Sequence, residues 1–372
     1  MIMPEKCEGA NRKQINSASP GYLPTMTPDY SQISDTAKAV ASRMLPEIIA
    51  FIQSISPQIA RMSSGMSFTI ADYGAADGVN SSGLFTRIIE HIHAINPSVK
   101  IKLLYIDIAD RAPFDKFCKI SGLAGSERAE AEYIQRSFYR PFPEITGELH
   151  LGFSSTSLHW LDTENVDSAF FQHPACIQSN QLPDTERQKF VEKWKTDWRV
   201  FFRERSAELV KGGALFLANL TNRGNSLWPA SVGYNNLRDI CHDLCREHKI
   251  SKKELNAIFV PDYFATPEEI NSLLTENEMN KLFYLKSCHD LTVPCAYFTP
   301  VKNQLDKPQV RADLADKLAH VVRAWSESSL RTGLSLKNKG VIEEIYRRLR
   351  DKFYETPRGL PYEYCLLALI KR

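Results

Sequence analysis

The sequence lacks any run of roughly 20 apolar residues, the length a helix needs to cross a bilayer. Its opening, MIMPEKCEGANRKQ, has no apolar core of the kind a secretory leader carries. A surplus of either charge is missing too. The 46 Lys and Arg against 44 Asp and Glu leave a net charge of +2. That balance argues against a surface for nucleic acid or anionic membrane, which needs clustered excess cations. No internal repeat is visible. The eight cysteines stand apart, at 7, 118, 176, 241, 245, 288, 295 and 365, so reduced thiols in a cytoplasmic protein are expected. Cys241, His242, Cys245 and His248 come nearest to a metal set. On a helix, however, 241 and 245 share a face without 242, and the second Cys/His pair of a structural zinc site is missing. Two buried thiols on an amphipathic helix are the simpler reading, and no metal is expected. These absences leave a protein whose business is with a small molecule.

What is present has the length for more than one layer: 372 residues exceed what one hydrophobic core usually fills. Residues 1–28 are rich in Pro, Ser and Asn and are expected to be loop-like. A helix is predicted over 35–62, from Ala37, Val40, Met44, Ile48, Ile52 and Ile55 at helical spacing. A short β-prone run, Ser67–Asp72, then meets a glycine turn, Gly74 to Gly78, and a second helix carries Leu84, Ile88, Ile89 and Ile92. Ile101 to Asp107 is a strand ending in an acid. Strand, glycine turn, helix, strand, acid is the opening of a doubly wound α/β fold. Further strands are predicted at His150–Phe153, Ala214–Leu220 and Tyr362–Ile370, and an amphipathic helix at Phe190–Val210 with Gly212 and Gly213 as its stop. Helical patterns dominate 223–280 and 305–355.

Glycines after a buried strand let the backbone approach a ligand. The spacing Gly74-x-x-x-Gly78 is not the three-glycine dinucleotide pattern, and a tight turn without a ligand would look the same. Asp107, ending the next strand, stands where an acid accepts both hydroxyls of a ribose. A surface acid capping a turn is the bland alternative. Together the two features point to a nucleotide-like cofactor without naming it.

Whole blocks of the chain resemble the SABATH family of S-adenosylmethionine-dependent methyltransferases. Asp72-Tyr73-Gly74-Ala75-Ala76-Asp77-Gly78-Val79-Asn80 resembles the family's Asp-Leu-Gly-Cys-Ser-Ser-Gly-Pro-Asn signature. Ser137-Phe138-Tyr139 stands before Pro141-Phe142-Pro143, and Ser154 to Leu161 is similar to the family's Ser-Ser-Tyr-Ser-Leu-His-Trp-Leu. Trp194, Asp197, Phe201-Phe202, Arg205, Tyr263 with Glu268-Glu269, and Arg323 with Glu327 continue the likeness from about residue 30 to the C-terminus. Departures are Ala75 for Cys, Val79 for Pro, Thr156 for Tyr, and Ala37 where plant members carry a substrate-holding Gln.

The resemblance implies a Rossmann-like class I methyltransferase core, a mostly parallel sheet flanked by helices, over 29–222 with 281–300 and 361–372. A helical cap would span 223–280 with 301–360. The implied cofactor is S-adenosyl-L-methionine. Ser34, Gly74 and Asn80 would lie around its methionine end and Ser154 near the sulfonium, Asp107 on the ribose, and Ile108, Ser137 and Phe138 around the adenine, with Tyr30 a further cofactor-binding residue. Trp160 would donate its indole N–H to a substrate carboxylate, with His159 beside it as the other catalytic candidate. Thr156, Trp228, Tyr263, Val322, Trp325 and Tyr362 would line the substrate pocket. The expected partner is a small, aromatic carboxylic acid, which becomes a methyl ester, and the family is commonly homodimeric. A carboxylic acid is ionised at neutral pH, so the reaction needs orientation and exclusion of water rather than a base. Each aromatic taken alone is compatible with plain core packing. Methylation of a ring nitrogen, a nicotinamide-dependent oxidoreductase and a non-catalytic relative are the competing readings.

Overall fold

A computed structural model describes residues 26–27, 30–121, 129–174, 176–223, 231–338 and 340–372. The first 25 residues and Trp228 lie outside the described residues. The predicted helix over 35–62 is three helices after a first short one. α1 spans Tyr30–Ile33, α2 Asp35–Arg43, α3 Leu45–Ser54 and α4 Ser56–Ala60. Pro46 and Pro57 each sit in the first turn of a new helix, the one place where a missing N–H costs nothing. The apolar stripe is unbroken across the joints: Val40, Met44, Ile48 and Ile52 are all buried.

The sheet follows. β1 is Ser67–Tyr73, α5 Val79–Ile95, β2 Lys100–Asp107, α6 Arg111–Ser121, β3 Ala129–Gln135 and β4 Leu149–Ser155. The long helix α7, Asp184–Glu208, leads directly into β5, Leu209–Leu220. Here the structure corrects the sequence reading. The helix ends at Glu208, where Leu209 turns extended, and Gly212 and Gly213 lie inside the strand rather than stopping the helix. Leu149 pairs with Leu209 but Leu151 with Ala214, so the glycines form a bulge, with Gly212 at a φ of 79°. Helices α8 (Ser231–Arg246), α9 (Lys252–Ala257), α10 (Pro267–Leu274) and α11 (Asn277–Leu282) come before β6, Phe283–Val293. α12 (Pro308–Gly333) and α13 (Val341–Glu355) pack on each other and on α8 and α9, ahead of β7, Tyr362–Lys371. On α8, Cys241 is buried but Cys245 only half-buried.

The strand order is β3-β2-β1-β4-β5-β7-β6. β1 to β5 run parallel, and β7 is antiparallel to both neighbours. Order reverses between β1 and β4, which opens a crevice at their carboxyl ends, the place where such sheets bind ligands. Central strands are near-continuous apolar runs because both faces are covered; in β5, every residue from Gly213 to Leu220 is buried. β6, at the edge, alternates instead. Among the described residues no helix is long and apolar enough to cross a membrane.

Candidate active site

A cavity of about 400 Å³ occupies the crevice. Its floor is the turn after β1. Gly74 has a φ of 84°, and a Cβ there would sit 2.2 Å from the Ser157 hydroxyl, so both the turn and the close approach of β4's exit require glycine. Gly78, at φ 81°, caps the start of α5, and a Cβ there would press at 3.0 Å on the rings of Tyr105 and Phe117. Asp107 stands at the end of β2. One oxygen accepts the Ala76 N–H at 2.8 Å and the other the Ala109 N–H at 2.9 Å. Burial raises its pKa, opposed by those backbone N–H groups and that of Ile108. Each carboxylate oxygen has a second lone pair, so Asp107 can still accept two hydroxyls from the cavity.

Ile108, Ser137 and Phe138 line the same wall. Across from them stand Tyr30 and Ser31, on the short α1. Ser31 donates to Asp77 at 2.5 Å, and the Asn80 side chain donates to Ser34 at 3.2 Å, tying the N-terminal helices to the start of α5. Asn80 lines the cavity, and its Oδ1 is buried without a partner. Burial pushes the Tyr30 phenol up to about 12. It also pushes Asp72, near the end of β1, up to about 7, with Ser81 pulling down and Asp107 pushing further up.

A smaller chamber of about 30 Å³ adjoins the first; Met26, Tyr30, Thr156 and Trp160 line both. His159, Tyr234, Phe264, Trp325 and Tyr362 supply its aromatic walls. His159 stacks on Phe264 at 5.3 Å, and Tyr234 lies 4.4 Å from Trp325. Two nitrogens here are buried and unpaired: Trp160 Nε1 and His159 Nδ1. Burial lowers the His159 pKa to about 3, so the ring is neutral at neutral pH. Thr156 has a φ of 59°, an outlier for a β-branched residue, held by its hydroxyl against Tyr364 at 3.0 Å and its N–H on Ala218 at 2.9 Å.

The cavities thus bring together Tyr30, Gly74, Asn80, Asp107, Ile108, Ser137, Phe138, Thr156, His159, Trp160, Trp325 and Tyr362. Four other expected residues stand elsewhere. Ser34 is one layer back, behind Asn80. Ser154 spends its hydroxyl on the Tyr73 carbonyl at 2.8 Å, while Ser155 and Ser157 face the cavity. Tyr263 points away: its hydroxyl donates to Glu269 at 2.8 Å and its ring packs 5.9 Å from Trp194. Val322 is fully buried behind the chamber, beside Gly233. Sequence reasoning missed Asp72, Asp77, Ser157, Tyr234 and Phe264. The first three lie inside or beside the recognised motifs, Asp72 in β1 and Asp77 and Ser157 in the turns after β1 and β4; Tyr234 had no local signal.

Asp262, behind the chamber, gives a pH test. It is fully buried, accepting from the Tyr234 hydroxyl and, at 2.9 Å, from Gln178. Burial raises its pKa to about 7, whereas an unfolded Asp titrates near 3.9. Between those values the folded state holds a proton the unfolded chain releases, so this group's contribution falls as pH rises from about 4 to about 7. Asp262→Asn removes that slope. Its melting temperature relative to the native protein should climb by a few degrees between pH 5 and pH 8, measured by differential scanning fluorimetry. A difference that stays level would contradict a neutral Asp262.

Sheet order, an antiparallel seventh strand, and a cavity floored by a glycine turn and walled by an acid define a class I S-adenosylmethionine methyltransferase fold. Residues 26–359 match the model of a family described as SAM dependent carboxyl methyltransferases, and the chain belongs to that family. Among its relatives is a jasmonate O-methyltransferase of Arabidopsis thaliana, 26% identical over 56% of this chain and 61% of that protein. Another is the methyltransferase FUS9 of Gibberella fujikuroi, 26% identical over 64% of each. The chain therefore spans somewhat under two thirds of the length of these two relatives. The solved structure of a loganic acid methyltransferase with SAH superimposes with a TM-score of 0.69 at 19% identity, covering 93% of this chain and 96% of that one.

Proposed function

We propose that the protein methylates the carboxylate of a small, flat acid to give a methyl ester. The observation that carries this reading is the pair of buried, unpaired nitrogens, Trp160 Nε1 and His159 Nδ1, in an apolar chamber joined to the acid-walled cavity. A buried donor left unpaired costs about 1–3 kcal/mol, and an acceptor bound there would relieve it. The cofactor fits the larger cavity by the chemistry of its donor set: Asp107 for two ribose hydroxyls, Ile108 and Phe138 for a flat base, and Asp72 and Asp77 near a cationic end. When bound, S-adenosylmethionine supplies a methyl group on a positively charged sulfur.

The chain's own part is orientation. Trp160 holds one carboxylate oxygen, and neutral His159, with its proton on Nδ1, holds the other. Neither is an ion, so the oxygen keeps its nucleophilicity. The aromatic walls of the chamber exclude water from it. No general base is required, because the acid arrives ionised. A cytoplasmic homodimer belongs to the same reading, the dimer on the family resemblance and the compartment on the scattered cysteines.

The test is a thermal-shift titration with S-adenosylmethionine, S-adenosylhomocysteine and NAD, then a labelled-methyl assay over carboxylic acids. Stabilisation by the first two and alkali-labile product are expected. No stabilisation by either sulfur compound, or label stable to alkali, would overturn the reading. Trp325 closes the chamber against Tyr234. Trp325→Ala should therefore shift kcat/KM towards bulkier acids by about tenfold; an unaltered ranking across the acid panel would mean Trp325 does not set size.

A further inference from the structure

α7 buries more charge than packing explains. Among Trp194, Trp198, Phe201 and Phe202 it carries Arg205, which has no exposed surface, and Glu208, 2% exposed. Taking such a pair out of water costs several kcal/mol per ion, and an apolar pair of like volume often does as well for stability. What the ions supply instead is direction. Arg205 donates from Nε to Glu208 at 2.7 Å, from Nη1 to the Phe138 carbonyl, and from Nη2 to the Arg140 carbonyl at 2.9 Å. Glu208 in turn accepts the Tyr73 hydroxyl at 2.6 Å and the Phe142 N–H at 3.2 Å. The guanidinium lies 4.6 Å from the Tyr73 ring and 5.0 Å from that of Phe142.

Every one of these partners belongs to the cavity's frame. Tyr73 is the last residue of β1, directly before Gly74. Ser137 to Phe142 is the turn whose first three residues, Ser137, Phe138 and Tyr139, wall the cavity. Tyr139 continues the chain of contacts by donating to the Trp160 carbonyl at 2.7 Å. The pair therefore fixes two adjoining segments of the larger cavity, the start of its glycine floor and the turn that walls it, against one rigid helix.

We propose that Arg205 and Glu208 are a positioning pair for the cofactor: they hold the 138–142 turn and the end of β1 at the separation that S-adenosylmethionine requires. This rests on the methyl-transfer reading. The double variant Arg205→Met/Glu208→Gln removes both charges together and leaves no buried ion, so it is expected to melt within a few degrees of the native protein. Its affinity for S-adenosylhomocysteine, by calorimetry, should fall at least tenfold, and KM for S-adenosylmethionine should rise in step. Arg205→Lys keeps a cation for Glu208 but not the fork that reaches both carbonyls, and should bind about threefold more weakly than the native protein. If the double variant does not fold, the lysine variant decides. Native-like affinity in the folded double variant, or in the lysine variant where only that folds, would overturn the proposal. Native protein that does not bind S-adenosylhomocysteine at all would instead overturn the cofactor reading, and the proposal with it.

Discussion

Asp107→Ala is expected to weaken S-adenosylhomocysteine binding by a factor of about 100 to 10,000. The range follows from two hydrogen bonds to a charged acceptor, each worth about 1.5–3 kcal/mol. Partial exposure of Asp107 favours the lower end, since water competes for the same oxygens. A second effect works in the same direction. The carboxylate organises the apo site by accepting the Ala76 and Ala109 N–H groups, so alanine also frees the glycine turn. Asp107→Asn separates the two contributions: it keeps one acceptor oxygen and one of the two backbone bonds, and should lose about 10- to 100-fold. Calorimetry with S-adenosylhomocysteine, alongside a melting curve without ligand, reads both. A loss below tenfold in the alanine variant, with the fold intact, would take Asp107 off the ribose.

Asp107 also shows which features a sequence displays well. A strand that ends in an acid, one helix after a glycine turn, is a local pattern, and β1, α5 and β2 fall within a residue or so of where the periodicity puts them. The same holds for β7, whose apolar run cannot be placed elsewhere. What failed was phase. Asp262, Tyr263 and Phe264 are consecutive in an extended segment, so their side chains alternate sides. Tyr263 turns to Arg187 and Glu269 while its neighbour Phe264 meets His159. Ser154 and Ser155 part in the same way at the end of β4. A motif match carries residues over in blocks and cannot tell the two faces of an extended chain apart.

Tertiary partners were illegible for a different reason. Nothing near Arg205 in sequence announces that its contacts are the carbonyls of Phe138 and Arg140, more than sixty residues away. The glycines of β5 misled because Gly after a helix is ordinarily its C-terminal stop. Here α7 ends without one, and the glycines form a bulge across which β5 resumes its pairing with β4 in a shifted register. β3 escaped notice because AEAEYIQ is only weakly apolar, as an edge strand can be.

Trp160→Phe is expected to lower kcat/KM for the acid by about 10- to 100-fold while leaving S-adenosylhomocysteine affinity within about twofold of native. The substitution keeps a smaller aromatic wall, removing the N–H together with part of the ring's volume. That N–H has no partner within the protein, although Trp160 is only 7% exposed. Losing the unsatisfied donor stabilises and the space left by the smaller ring destabilises, so the free phenylalanine variant should melt within a few degrees of the native protein. The combination of unharmed stability, unharmed cofactor binding and impaired acid turnover is specific to a donor reserved for the acceptor. It also separates the two chambers: Asp107→Ala acts on the cofactor side, Trp160→Phe on the acid side, and because the two side chains share no hydrogen-bond partner, their effects on kcat/KM should multiply. Native kcat/KM in Trp160→Phe, measured by labelled-methyl transfer, would place the carboxylate on another donor. His159 is the neutral group beside it that could take over, and His159→Phe in the same background would then abolish what remained.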